Sequence, residues 1–288
     1  MLASTPILLA ALLIAAPPAD RRHPLPSDDP CVYDVQTEFG AKGDGVADDT
    51  AALQAALNAA CANDSERSGI VYLPAGTYRL TGTLVANVGR PGSGAGPWFW
   101  GESRDSVILK LDDGAGLGPD GIEGTDDDLT SVIRTHPADS GRTSANWFMR
   151  NLRRFTVDAG DNPNVDGIRY FASNLGVIRD VTVKGNGPVG INSNHISEAG
   201  PDLIHNVTVD GFNIGVKSQW RYGQTLTDVT ILNAKEAGVT VAANAVGIED
   251  LKVVKSDRAL INEFPNNWHW WGGAVAMIGG EFRTNHAP

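Results

Sequence analysis

The chain has 288 residues, of which 42% are hydrophobic and 20% charged, enough apolar content for a large core and too much for a disordered chain. With 34 acidic against 23 basic residues the net charge is −11, which opposes a sequence-independent grip on nucleic acid. The imbalance is local: seven acids and no base lie between Asp112 and Asp128, whereas Arg150 to Arg258 holds 12 of each sign.

Ile7 to Ala16 is an unbroken aliphatic run followed by Pro17, Pro18, Ala19 and a polar stretch. This pattern predicts a signal peptide over residues 1–19, too short to span a bilayer comfortably, and a secreted or extracytoplasmic protein with no membrane contact after cleavage. Residues 20–31, rich in Pro and Asp, read as a flexible leader. Cys31 and Cys61 are an even pair, so an oxidising compartment suggests one disulfide; two buried thiols are the alternative.

Asp48-Asp49-Thr50 offers N-cap oxygens to AALQAALNAACA, where Leu53, Ala56, Leu57 and Ala60 recur at helical spacing. Gly69 to Leu73 and Thr77 to Thr81, around Pro74-Ala75-Gly76, read as strand, turn and strand beneath that helix. From Leu152 onward the chain repeats. Phe155-Thr-Val157, Val181-Thr-Val183, Val207-Thr-Val209, Val229-Thr-Ile231 and Leu251-Lys-Val253 align at spacings of 26, 26, 22 and 22 residues. A second column runs in step through Gly167-Ile168, Gly190-Ile191, Gly215-Val216 and Gly238-Val239. Asp180, Asn206, Asp228 and Asp250 stand just before their strands, where Asx residues suit turns.

Units this short cannot bury their apolar faces alone and must stack. A leucine-rich solenoid would need a Leu-x-x-Leu-x-Leu register that is absent, and a propeller blade is longer. The expected fold is therefore all-β: a single-stranded right-handed parallel β-helix over residues 32–288, with an N-terminal capping α-helix over the first end. The C-terminal end reads as truncated or uncapped, which invites self-association.

Phe39 to Ala60 (FGAKGDGVADDTAALQAALNAA) and Gly69 to Leu84 (GIVYLPAGTYRLTGTL) resemble the opening of the pectate-lyase-like superfamily, in particular its rhamnogalacturonase/epimerase-type β-helix domain. They are similar also to the β-helices of glycoside hydrolase family 55. The resemblance covers roughly residues 32 to 262 and implies a secreted β-helix acting on polysaccharide. In this motif Asp44, Asp48 and Asp49 look like turn and cap residues. The spaced Asp pair, Gly-His-Gly and Arg-x-Lys set of a polygalacturonase is absent.

Glycoside hydrolysis needs two carboxyl groups flanking the bond, whereas a lyase needs a base beside a neutralised uronate, often with calcium. The segments Asn192 to Asp202 and Ser218 to Gln224 read as groove loops. Their Glu198 and Asp202 are the expected catalytic carboxylates, with Lys217 and Arg221 as orienting groups and His195, Trp220 and Tyr222 contacting sugar. Trp268, Trp270 and Trp271 offer flat faces either to sugar or to the open end of the fold. Asp120, Asp126 and Asp128, spaced among glycines, are candidate calcium ligands, and no organic cofactor is expected. The neutral repeat region puts a glycoside hydrolase on an uncharged glycan first. A polyuronate lyase or a non-catalytic carbohydrate-binding β-helix is the alternative.

Overall fold

The computed structural model describes residues 32–61, 69–86, 96–118, 121–122, 128–136, 148–242, 245–263 and 274–285, without the side chains of 195–199, 220 and 221. The expected signal peptide and leader, Cys31, Asp120, Asp126, Trp268, Trp270 and Trp271 lie outside the described residues.

The chain winds as a right-handed parallel β-helix, each turn contributing a strand to each of three faces. On the first face Tyr33, Val71, Phe99, Leu152, Ile178, Ile204, Leu226, Ile248 and Met277 stand opposite one another, turn after turn. The second face stacks Tyr78, Leu109, Val157, Val183, Val209, Ile231, Val253 and Phe282. The third stacks Leu84, Ile133, Ile168, Ile191, Val216, Val239 and Leu260. The first repeat column of the sequence is thus the second face, and the Gly-aliphatic column is the third.

These ladders meet in one continuous core, because alternate residues of each strand point inward and parallel pairing sets like over like. In the last described turn Met277 and Phe282 are 45% and 41% exposed. The helix α1 (Thr50–Ala60) buries Leu53, Ala56 and Leu57 and covers the opposite end. Its cap differs from the expectation for Asp49. That carboxylate accepts instead from the Lys42 and Gly43 amides at 2.6 and 2.9 Å, while Asp48 Oδ1 accepts from the Thr50 amide at 3.0 Å. Cys61 closes α1 beside the guanidinium of Arg150, whose pKa burial draws down.

A single left-handed residue joins the first face to the second in successive turns: Arg154, Asp180, Asn206, Asp228 and Asp250, with φ of 63°, 55°, 50°, 52° and 51°. Asp and Asn tolerate this region, and their side chains tie turn to turn, as when Asn206 Nδ2 donates to Asp180 Oδ1 at 2.6 Å. The glycine column has a different cause. A Cβ at Gly167, Gly190 or Gly215 would lie 2.3, 2.2 or 2.6 Å from Val183, Val209 or Ile231 of the second-face ladder, so only glycine lets the two faces close.

Two outcomes follow from this packing. Ile204→Ala should lower stability by about 2–5 kcal/mol, read as a shift in denaturant midpoint, because the ladder above and below holds the cavity open. Asp228→Gly and Asp228→Ala both remove the carboxylate, so their difference reports mainly the backbone: Ala should be less stable by about 1–2 kcal/mol. Equal midpoints would mean that the corner does not select its residue by conformation.

Candidate functional site

Outward-pointing residues are stacked as strictly as inward ones, and on the third face this assembles a charged rank. Arg134, Arg169, Asn192, Lys217 and Thr240 are register partners on five successive strands. At a rung spacing of about 4.8 Å, Arg134 and Lys217 are about 14 Å apart along the axis. Each follows directly on an inward aliphatic residue, which fixes its outward direction.

Asp166 organises the middle of the rank. Only 1% exposed, it accepts from Arg169 Nε at 2.9 Å and from Asn192 Nδ2 at 2.8 Å through Oδ2, and from the Val189 amide at 3.0 Å through Oδ1. Both of its oxygens are thereby engaged, and, buried, it holds Arg169 and Asn192 in place instead of facing a ligand. The Arg169 side chain keeps 33% of its surface exposed. Lys217 is partly exposed and has no carboxylate within ion-pair distance among the described residues. Beyond the rank lie Asn194 and Gln219, register partners, with Gln219 Nε2 donating to Glu263 at 3.1 Å. The arrangement can hold an anion and orient it; it presents no opposed pair of carboxyl groups among the described residues.

The segments expected to be groove loops are strand. Val189–Asp210, Ile214–Arg221 and Gln224–Leu232 carry the ladder through the corner between the third and first faces, with a register shift between Asn194 and Ala199. Asp202 is accordingly not a groove residue. Two positions before inward Ile204, it is 5% exposed, and Ser173, Ser193, Ser218 and Gln224 along the same corner are each 3% exposed or less. A carboxyl there does not reach a sugar bound outside. Lys217 does stand in the outer rank, and Tyr222 is 42% exposed at the following turn. The side chains of His195, Glu198, Trp220 and Arg221 lie outside the described residues.

Of the candidate calcium ligands, only Asp128 is described, and no group of three or more His, Cys, Asp or Glu side chains among the described residues is placed to hold a metal. The described residues therefore give no calcium cage.

Arg134, Arg169 and Asn192 escaped the sequence reading, and Asp166, with Asp158 and Asp161, reads there as a turn residue, although the aligned repeats carried a signal. In Asp166-Gly-Ile-Arg169, Val189-Gly-Ile-Asn192, Ile214-Gly-Val-Lys217 and Ala237-Gly-Val-Thr240, the position after the Gly-aliphatic pair is always polar. The position before it is apolar in every unit but one, Asp166. An acid in an otherwise apolar column marks a place where packing has been given up for a polar contact.

Comparison with known proteins places this architecture. Mannuronan C5-epimerase AlgE4 from Azotobacter vinelandii is 36% identical over 162 residues, which are 53% of this chain and 25% of the epimerase. Alginate lyase 7 from the same organism is 33% identical over 135 residues, 47% of this chain and 13% of the lyase. The chain thus spans a quarter or less of the length of these relatives. Among solved structures, the A-module of the Azotobacter vinelandii mannuronan C-5 epimerase AlgE6 superposes with a TM-score of 0.61 at 22% identity, covering 86% of this chain and 63% of the module. An iota-carrageenase complexed to iota-carrageenan fragments superposes with a TM-score of 0.52 at 15% identity, covering 81% of this chain and 56% of the enzyme. At these identities the likeness speaks for the fold. Residues 32–261 match the family described as rhamnogalacturonase A/epimerase, pectate lyase-like, a span that holds the capping helix, the glycine column and the ladders up to their last rung, and the chain belongs to this family.

Proposed function

We propose that the protein acts on a polyuronate bound along the third face, by chemistry that begins with removal of the C5 proton beside the uronate carboxylate. The observation that carries this reading is the outer rank of Arg134, Arg169, Asn192 and Lys217, which sets two guanidiniums, an amide and an amine in line for a polymer bearing one carboxylate per sugar. Similarity to a mannuronan C5-epimerase and an alginate lyase supports the same substrate class. This reverses the order expected from the sequence: hydrolysis needs two carboxyl groups across the glycosidic bond, and Asp202 is buried in the corner.

In this reading the fork of Arg169, held by Asp166, neutralises the uronate carboxylate, which stabilises the carbanion-like state left at C5. Lys217, two rungs on, takes the proton as its neutral amine and becomes the ammonium, and Asn192 between them orients the sugar. A proton delivered from water to the opposite face of C5 gives the C5 epimer; if instead the C5 electron pair forms the C4–C5 double bond, the O4 glycosidic oxygen leaves, takes a proton from the Lys217 ammonium, and an unsaturated end results. A polymeric substrate also agrees with the secreted location expected from the signal-peptide pattern of residues 1–19. Among the described residues no helix is long and apolar enough to cross a membrane.

A non-catalytic reading has one observation in its favour: Asn192, Asn194 and Gln219 around Lys217 cannot exchange protons at neutral pH. Both readings are separated by incubating the protein with polymannuronate and polyguluronate, with calcium or with chelator, and following unsaturated-uronate absorbance together with C5 inversion by proton NMR. Turnover is expected, with Lys217→Ala lowering it about 100-fold or more at unchanged melting temperature. Binding without either product selects the non-catalytic reading, and new reducing ends from a neutral glucan without unsaturation would overturn the proton-abstraction chemistry.

A further inference from the structure

The first face carries a second concentration of charge on its outer side. Trp100, Arg153, Arg179 and His205 are register partners on four successive strands, and Trp98 precedes Trp100 by two residues on the same side. The guanidinium of Arg153 lies over both indoles, 5.2 Å from the Trp98 ring centre and 5.8 Å from that of Trp100. Its polar contact is a donation to Asn151 Oδ1 at 3.3 Å. Burial lowers the pKa of Arg153, and the like charge of Arg179 one rung away lowers it further. Arg104, from the connection between the first-face and second-face strands of its own turn, donates alongside to the Asn206 carbonyl at 3.2 Å.

Among the described residues, only Arg179 of these three arginines has a carboxylate within ion-pair distance, Asp180 at 3.4 Å. The other oxygen of Asp180 is already engaged by Asn206 at 2.6 Å. The cationic run stops at His205, which is occupied by Thr227 at 2.6 Å and Asp228 at 3.4 Å. Arg153 and Arg179 therefore repel across one rung, a repulsion that Asp180 offsets in part. An anion lying across both guanidiniums relieves it. A carboxylate matches the guanidinium fork, the neighbouring indoles suit the C–H face of a sugar ring, and ranks that follow the helix axis suit a linear polymer.

We propose that Arg153 and Arg179, flanked by Trp98, Trp100 and Arg104, form a second binding surface for a carboxylate-bearing polysaccharide on the first face. The inference rests on the function proposed above for the identity of the polymer, and it uses no residue of the third-face groove. One protein molecule would then hold the polymer at two places, so the anchored stretch raises the local concentration of the stretch in the groove.

Affinity electrophoresis in gels containing polymannuronate tests this, on the full chain, on Arg153→Gln/Arg179→Gln and on Lys217→Ala, each checked for an unchanged melting temperature. The double variant should bind about tenfold more weakly and with a smaller salt dependence of retardation, the remainder coming from the third-face rank, while its turnover of short oligouronates stays at the level of the unaltered protein. Retardation of the double variant equal to that of the unaltered protein overturns the inference and leaves the groove function standing. Loss of retardation in the double variant, with no turnover in any form, upholds the inference and overturns the catalytic reading. Absence of retardation in all three forms overturns both. If the double variant melts early, Arg153→Lys/Arg179→Lys keeps the charge and removes the fork, and retardation between those of the unaltered protein and a polyuronate-free control upholds the surface; retardation equal to that of the unaltered protein overturns it.

Discussion

Parallel hydrogen bonding between successive turns forces each residue to stand over its counterpart one turn away, about 4.8 Å along the axis. The chain must therefore repeat not only its apolar residues but every side chain that matters, since each rank is a column of identical environments. Inside, this gives ladders such as Ile178, Ile204, Leu226 and Ile248, and a missing methylene cannot be filled by collapse because the rungs on either side are held by their own ladders. Outside, the same rule aligns charge. Arg134 with Arg169 and Arg153 with Arg179 are like-charged neighbours that no independent surface would favour.

Such ranks acquire meaning from what balances them. On the third face one buried carboxylate, Asp166, grips Arg169 and Asn192 and leaves the exposed part of the rank positive. On the first face aromatic rings take that role, with Arg153 laid over Trp98 and Trp100. The indoles orient Arg153 without an opposite charge, whereas the carboxylate of Asp166 orients Arg169 and offsets part of its charge. A protein with a net charge of −11 thus presents local cationic stripes, and the total charge says little about the ligand of either face.

The corners make the stack possible. Left-handed Asx residues turn the chain between the first and second faces, and the glycine column lets the third face close against the ladder of the second. The corner between the third and first faces is different: Ser173, Ser193, Asp202, Ser218 and Gln224 are buried there, and Gln224 Nε2 contacts Ser193 Oγ at 3.5 Å. Polar residues in that position look like groove residues in the sequence because polarity alone does not reveal on which side of a strand a residue lies.

The sequence by itself determined the fold: the spacing of Val-Thr-Val and Gly-Ile columns, the Asx corners and the helix with one apolar stripe each state a local requirement that only a stacked parallel coil satisfies together. It also contained the third-face rank, in the polar position after each Gly-aliphatic pair and in the solitary Asp166. Tertiary structure decided the rest. Whether Asp202 faces sugar or core depends on one residue of register through a corner, and a shift of one position exchanges the two sides of a strand. The meeting of Arg153 with Trp98 spans 55 positions of chain, a proximity set by the length of a turn and its insertions, which no local pattern encodes.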